Sequence, residues 1–373
     1  MRRSRSWVYR WIRRYESGGP LWSQDRSHRP HHLVRQVSVA IERMVVRIHR
    51  QLKSKRNPLG FWGAEAIHHA LTDLGVRPLP SSRTIHRILV RRHLVMRKRR
   101  DRSRRGPLLP VPAAHRQNDV HQLDFIVGHY LASQLPFVVI NRKDVASGLV
   151  SGTIEPDRRV QRVVAFLIKD WHRSGRPKFL QMDNDMSLIG GRFHPRSLGQ
   201  LVRFCLACRV IPVFIPERRP ASNAHVERYN GLWQEKVWKR SWFHSLGQLQ
   251  TRSQTFQEAY NTYLKRRLIR QGESCRFQIA LRPLPKPVRV PHPLILCRGQ
   301  IWIIRRVDDE GHIRILNETI RLSVRYAHEF VRVVLRTGPQ TLSVYWKPSG
   351  QRRLQRIAHR SYKLREKAET PLF

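Results

Sequence analysis

Acidic residues are scarce in this 373-residue chain. Its 26 Asp and Glu stand against 72 Lys and Arg, giving a formal net charge of +46 and a sequence pI of about 11.7. A compact fold carrying that charge repels itself unless a polyanion neutralises it. Nucleic acid is the expected partner, because phosphate contacts that release counterions drive such binding. Disorder is the other reading of high charge, but 40% hydrophobic residues and ten Trp supply enough apolar surface for a core. Long apolar runs are also missing. No stretch reaches 18 apolar residues, and the opening MRRSRSWVYRW has no apolar segment of signal-peptide length, which points to a soluble, intracellular protein. Cysteines number four: Cys205, Cys208, Cys275 and Cys297. Cys205 and Cys208 form one C-x-x-C inside the apolar helical run SLGQLVRFCLACRVIPVF, with no second pair at ligand spacing. Core packing is the expected role, and no structural zinc is predicted.

What is present divides into regions of different character, and the length suits two or three domains. The first 118 residues hold 28 Lys or Arg and 6 acids. Val8, Trp11, Ile12 and Tyr15 follow helical spacing, with Arg10, Arg13 and Arg14 on the other side and Gly18-Gly19-Pro20 as a stop. An apolar inner face and an arginine-rich outer face suit the major groove. Residues 1–30 read as the last helix of a truncated helix-turn-helix. Residues 36–96 read as a second helix-turn-helix unit. Val37, Ile41, Val45, Ile48 and Leu52 line one helix and Ile67, Leu71 and Leu74 the next, ended by Gly75. A third helix follows, capped by Ser81 or Ser82, with Ile85, Ile88 and Leu89 inward. Its Arg83, Arg87, Arg91 and Arg92 are candidate DNA contacts.

Residues 97–118 form a basic linker. From 119 to 270 strands and helices alternate, predicting an α/β domain. After the Pro-rich 282–293, residues 295–346 read as a small all-β, barrel-like domain, and 347–373 as a loose basic tail.

Three acids of the α/β region stand at informative places. Asp124 lies in the strand His121-Gln122-Leu123-Asp124-Phe125-Ile126, Asp183 ends the strand KFLQMD, and Glu227 lies early in the helix after Pro220-Ala221-Ser222-Asn223. Converging carboxylates repel unless cations sit between them, an arrangement that suits two Mg²⁺ ions acting on a phosphodiester. Each acid alone has an ordinary reading as an ion pair or a turn cap.

HQLDF, LQMDND and FIPERRPASNAHVERYNGLW, in that order, resemble the three signatures of the retroviral-type DDE integrase core found in bacterial insertion-sequence transposases. The resemblance covers most of the chain. It implies a ribonuclease H-like core from 119 to 270 and assigns Asp124, Asp183 and Glu227 as catalytic ligands of Mg²⁺ or Mn²⁺, two ions in number. It also implies DNA partners (terminal inverted repeats and target DNA), a dimer or higher assembly on DNA, and a cytoplasmic, nucleoid-associated setting. Asn184, Asp185 and Asn223 are candidates to orient the acids. Arg228 and Lys236 are candidate DNA contacts. The pattern departs from the family where Asp185 and Ala224 replace familiar glycines and where Gln234 replaces a Lys or Arg. It departs again in the 44 positions between Asp183 and Glu227, an unusually long interval. A catalytically inactive derivative that only binds DNA, and a ribonuclease H-type nuclease that cuts without joining, are the rival readings.

Overall fold

A computed structural model describes residues 4–20, 22–24, 37–54, 56–95, 109–184, 195–216, 220–273, 284, 294–348, 351 and 353–371. Asp185, Cys275, most of the 97–118 linker and most of the 282–293 linker lie outside these. The chain divides into two compact units, one of residues 1–52 and 62–98, the other of residues 53–61 and 99–373.

The first unit holds helices α1 (Arg5–Glu16), α2 (Val39–Lys53), α3 (Ala64–Asp73) and α4 (Ser82–Arg91). Ile41, Val45, Ile48, Ile67, Leu71, Ile85, Ile88 and Leu89 form the buried core of the α2–α4 bundle, at the spacing the sequence predicts. Ser81 caps α4 by accepting from the Thr84 N–H at 3.2 Å. α3 stops where Gly75 takes φ +67°, which lets the Gly75 and Val76 N–H groups turn back to the Thr72 and Leu71 carbonyls. Leu74, expected inward, is the capping residue and is exposed. α1 also corrects the sequence reading. It buries none of its residues, and Val8, Ile12 and Tyr15 all face solvent. Its aromatic side chains instead gather into a local cluster, with Trp11 against Trp7 and Trp22, and Tyr15 against Trp22.

The second unit is built on one nine-stranded sheet. Its elements run β1 (Val120–Tyr130), β2 (Pro136–Asp144), β3 (Val150–Glu155), α5 (Val160–Ser174), β4 (Phe179–Met182), α6 (Gln200–Ala207), β5 (Ile211–Phe214), α7 (Ala224–Lys236) and α8 (Leu246–Arg270). Then come β6 (Gln300–Arg306), β7 (His312–Ile315), β8 (Glu318–Arg321), β9 (Phe330–Arg336), β10 (Thr341–Trp346) and β11 (Gln355–Ser361). The sheet order is β11-β10-β9-β6-β5-β4-β1-β2-β3, with β7–β8 a separate hairpin. An antiparallel β1-β2-β3 meander joined through β1 to parallel β4 and β5 is the ribonuclease H-like order.

Pleating sends alternate residues of β2 to opposite layers. Val138 and Ile140 pack with α5 and α6, while Phe137 and Val139 pack with α7 and α8. Cys205 and Cys208 lie buried in the first of these cores, their thiols pushed to higher pKa by burial. The outer edge of β3 is covered by side chains of α8. Gln250, Gln257 and Asn261 accept from the Ile154, Gly152 and Val150 N–H groups at 2.7, 2.9 and 2.9 Å, so one helix face stands in for the missing strand.

The C-terminal segment is all-β, as its sequence implies. Four of its strands continue the core sheet, because β6 pairs in parallel with β5 at Val213–Trp302 and Phe214–Ile303. The expectation of a loose tail from 347 is corrected. β11 pairs antiparallel with β10, and Tyr362 and Leu364 are buried. The free edge of β10 and these two apolar anchors outweigh the segment's basic composition.

Candidate active site

Three carboxamides bind the start of α7 to the sheet. Gln122 of β1 accepts from the His225 and Val226 N–H groups, both at 3.1 Å, and so satisfies two of the donors a helix start leaves unpaired. Gln181 of β4 donates to the Ser222 carbonyl at 2.9 Å. Asn223 donates to the Leu123 carbonyl at 3.0 Å. Asn223 therefore straps the helix to β1; its side chain makes no capping bond. Together the three fix α7 across β1 and the end of β4, near enough to bring the Glu227 charge under the influence of Asp124 and Asp183.

Each acid has its own setting. Asp124, half-buried on β1, accepts from the Asn230 side chain at 2.8 Å. Asn230 sits one turn beyond Glu227 and in turn accepts from Asn141 at 2.8 Å. Asn141 needs the space that Gly152 leaves, since a Cβ there would strike its Oδ1 and approach the Ile140 carbonyl at 2.8 Å. Asp183, just past β4, is exposed, and its Oδ1 accepts from the Asn184 N–H at 2.7 Å. Asn184 donates its amide to the Ile215 carbonyl and accepts from Arg305 at 3.1 Å, anchoring the turn that carries Asp183. Burial first, and the Asp183 charge next, push the Asp124 pKa up to about 6. Burial, Asp124 and Asp183, in that order, push Glu227 up to about 7.

None of the three acids forms an ion pair among the described residues. In a chain with 72 cationic side chains this isolation is informative. An oxygen-only donor set, mutually repelling and without a Lys or Arg partner among the described residues, fits a hard divalent cation. No group of three or more His, Cys, Asp or Glu among the described residues is gathered closely enough to enclose an ion as it stands.

The remaining candidates separate. Lys236 is engaged within the chain: its ammonium lies 2.8 Å from Glu235, a pairing that a DNA phosphate would have to displace. Arg91 and Arg92 both bind Glu42 at 2.6 Å, which links α4 to α2. Arg83 and Arg87 on α4, Arg10 and Arg13 on α1, and Arg228 on α7 are exposed. Arg14 is occupied by the Gln24 carbonyl at 2.6 Å and the Trp11 ring. Asp144 holds the β2–β3 turn by accepting from the Ser147 N–H and hydroxyl, both at 2.7 Å. Trp233 is core. Sequence reasoning missed the supporting roles of Gln122, Asn141, Gln181 and Asn230. Only Asn230, one helical turn from Glu227, had a local signal.

Residues 7–89 match the homeodomain-like domain family. No curated protein matches the chain. Among solved structures, the chain is similar to the dimeric HTLV-2 integrase catalytic core domain in complex with magnesium, at 16% identity over 34% of this chain and 74% of that one, TM-score 0.27. It is similar to the simian T-cell lymphotropic virus intasome in complex with PP2A regulatory subunit B56 gamma, at 16% identity over 83% of this chain and 100% of that one, TM-score 0.33. The BIV integrase catalytic core domain gives 13% identity over 41% and 99%, TM-score 0.28. A homeodomain-like helical region thus precedes a ribonuclease H-like sheet and further C-terminal strands. Among the described residues no helix is long and apolar enough to cross a membrane.

Proposed function

We propose that this protein is a DNA transposase of the insertion-sequence type, a polynucleotidyl transferase that cuts at the ends of a mobile element and joins them to target DNA. The observation that carries this reading is the grouping of Asp124, Asp183 and Glu227, without an ion pair among the described residues, on a ribonuclease H-like sheet within a strongly basic chain. These three acids would hold Mg²⁺ or Mn²⁺, which when bound supplies Lewis acidity at the reacting phosphate oxygens. The chain's own residues do the rest. Asn230 holds Oδ2 of Asp124. The Asn184 N–H fixes the Asp183 carboxylate, and Gln122 sets the height of the Glu227 helix.

In the first step water attacks phosphorus, the P–O3′ bond breaks and the 3′ oxygen leaves with a proton. In the second that hydroxyl attacks a target phosphodiester in line: a new P–O bond joins the element's 3′ oxygen to the target phosphorus, the target's own P–O3′ bond breaks, and the target 3′ oxygen leaves with the proton. The helical region would recognise the terminal repeats, and joining two ends calls for at least two copies. The domains are proposed as a helical DNA-binding region over 1–30 and 36–96, a 97–118 linker, and a catalytic unit from 119 whose sheet continues into the C-terminal strands.

The test is incubation of the full chain with labelled DNA carrying its own gene's flanks, with Mg²⁺ or Mn²⁺, and mapping of 3′ ends. Matched cuts at inverted repeats that vanish in Asp124→Asn are expected. Salt-sensitive binding without any cut would favour the DNA-binding derivative, and cuts without joining would favour a nuclease.

A further inference from the structure

Lys143 is a cation the reaction above does not use. It is the last but one residue of β2, opposite Gln122, on the same sheet face as Asn141 and Asp124. Its side chain is buried, at 8% exposure for the residue. Its ammonium lies 3.3 Å from the Tyr260 hydroxyl and 5.7 Å from that ring's centre. No acid pairs with it among the described residues. Buried lysines ordinarily have a carboxylate partner, since an unpaired buried charge costs several kcal/mol.

The neighbours make the imbalance larger. Arg228, one residue past Glu227, is exposed and has no ion pair among the described residues. It stands close enough to Lys143 that its charge, after burial, helps bring the lysine down to about 8. Tyr260 contributes a hydroxyl that can donate or accept. Positive charge and hydrogen-bond donors therefore collect on one flank of the helix carrying Glu227, with no acid paired to them among the described residues.

We infer that Lys143 and Arg228, with the Tyr260 hydroxyl, form a seat for a DNA backbone phosphate neighbouring the one that reacts. The seat would fix the strand's register, so that the scissile phosphate falls at the three acids. A bidentate guanidinium at the rim and a fixed ammonium behind it suit a phosphodiester. Lys143 is thus a positioning residue. This rests on the transferase reading.

The test compares Lys143→Met, Arg228→Gln and Arg228→Lys in the full chain. Thermal melting, salt-dependent binding of flank DNA in an Asp124→Asn background, and single-turnover cutting with Mg²⁺ are measured. Lys143→Met should melt higher than wild type, because it removes an unpaired buried charge. It should also bind flank DNA about tenfold more weakly, the scale of one charged hydrogen bond. The slope of log affinity against log salt should fall by about one for Lys143→Met and for Arg228→Gln. Arg228→Lys should keep it. Cut positions in the two neutralising variants should scatter by a nucleotide or more. Wild-type slope, affinity and cut position in both variants would overturn the inference, as would a Lys143→Met that melts lower yet binds DNA normally. If Asp124→Asn itself still cuts, the transferase reading fails, a result distinct from either of these.

Discussion

The two layers on either side of β2 treat charge in opposite ways. On the α5 side, Arg142 reaches Asp170 through two bonds of 2.8 and 2.6 Å, and Arg173 adds a third contact at 3.7 Å. His121 lies 3.5 Å from Asp144. Asp170 thus has its cation, Asp144 is satisfied by the Asn118 N–H and by the Ser147 N–H and hydroxyl, and burial's upward push on Asp170 is reversed by the Arg142 charge. On the α7 side, among the described residues, Asp124, Asp183 and Glu227 face one another without a cation, while Lys143 lacks an acid. Electrostatics resolved within the chain serves the fold. Unresolved electrostatics, in a chain otherwise rich in partners of the opposite sign, marks where something from outside completes the charge balance.

The largest break in this contrast is loss of chemistry without loss of fold. Asp124→Asn, Asp183→Asn and Glu227→Gln should each reduce cutting by roughly 10²–10³-fold or more, the scale of losing one group that stabilises developing charge, while DNA affinity stays near wild type. Thermal melting without metal should hold or rise, since each change removes repulsion. A melting loss as large as the loss of activity would put these acids in the same structural category as Asp170.

The reverse experiment strikes the paired side. Arg142→Met leaves Asp170 buried with its main partner gone and should cost about 3–5 kcal/mol, read as a lower urea midpoint. Replacing both as Arg142→Met with Asp170→Leu should recover most of it. If the single variant unfolds no more easily than wild type, the division between the two layers fails.

These effects were unequally legible in the sequence. Asp124, Asp183 and Glu227 carried their own signal, because strand alternation, a strand end and a helix start are local patterns. The core faces of α2 and α4 followed from periodicity in the same way. Gln122, Asn141, Asn230 and Gly152 did not, because their roles exist only between elements: Gln122 meets α7 residues 103 and 104 positions away, and Gly152 matters only through its cross-strand neighbour Asn141. The parallel β5–β6 pair joins residues 89 positions apart, and no period announces a partner at that distance. Lys236 looked exposed because lysines usually are, yet its stem is buried.

Gly152→Ala tests one such link. The added Cβ must displace the Asn141 amide, loosening the Asn141–Asn230–Asp124 chain. Cutting should fall about tenfold or more through misplacement of Asp124, with DNA binding intact, and Asn230→Ala should do the same from the other end. Additive rather than overlapping losses in the double variant would show that the two do not act through one chain.

The finest distinction between the layers is the sign of their pH dependence. Asp124 at about 6 and Glu227 at about 7 stand above ordinary carboxylates. Between ordinary carboxylate pH and about 7 the folded chain therefore holds protons that the unfolded chain has released. Their contribution to stability is present at low pH and is lost as pH rises through that window. Asp170 is lowered instead, so its contribution is present above the ordinary carboxylate pKa and lost as pH falls through its folded value. The whole protein shows the sum of both, so the informative quantity is a difference. Without metal, Glu227→Gln should gain melting temperature over wild type steadily from pH 5 to pH 8, and Mg²⁺ at pH 8 should narrow the gap by stabilising only the wild type. A gap of the same size at every pH would mean that Glu227 does not repel its neighbours, and the contrast between the two layers would rest on the ion pairs alone.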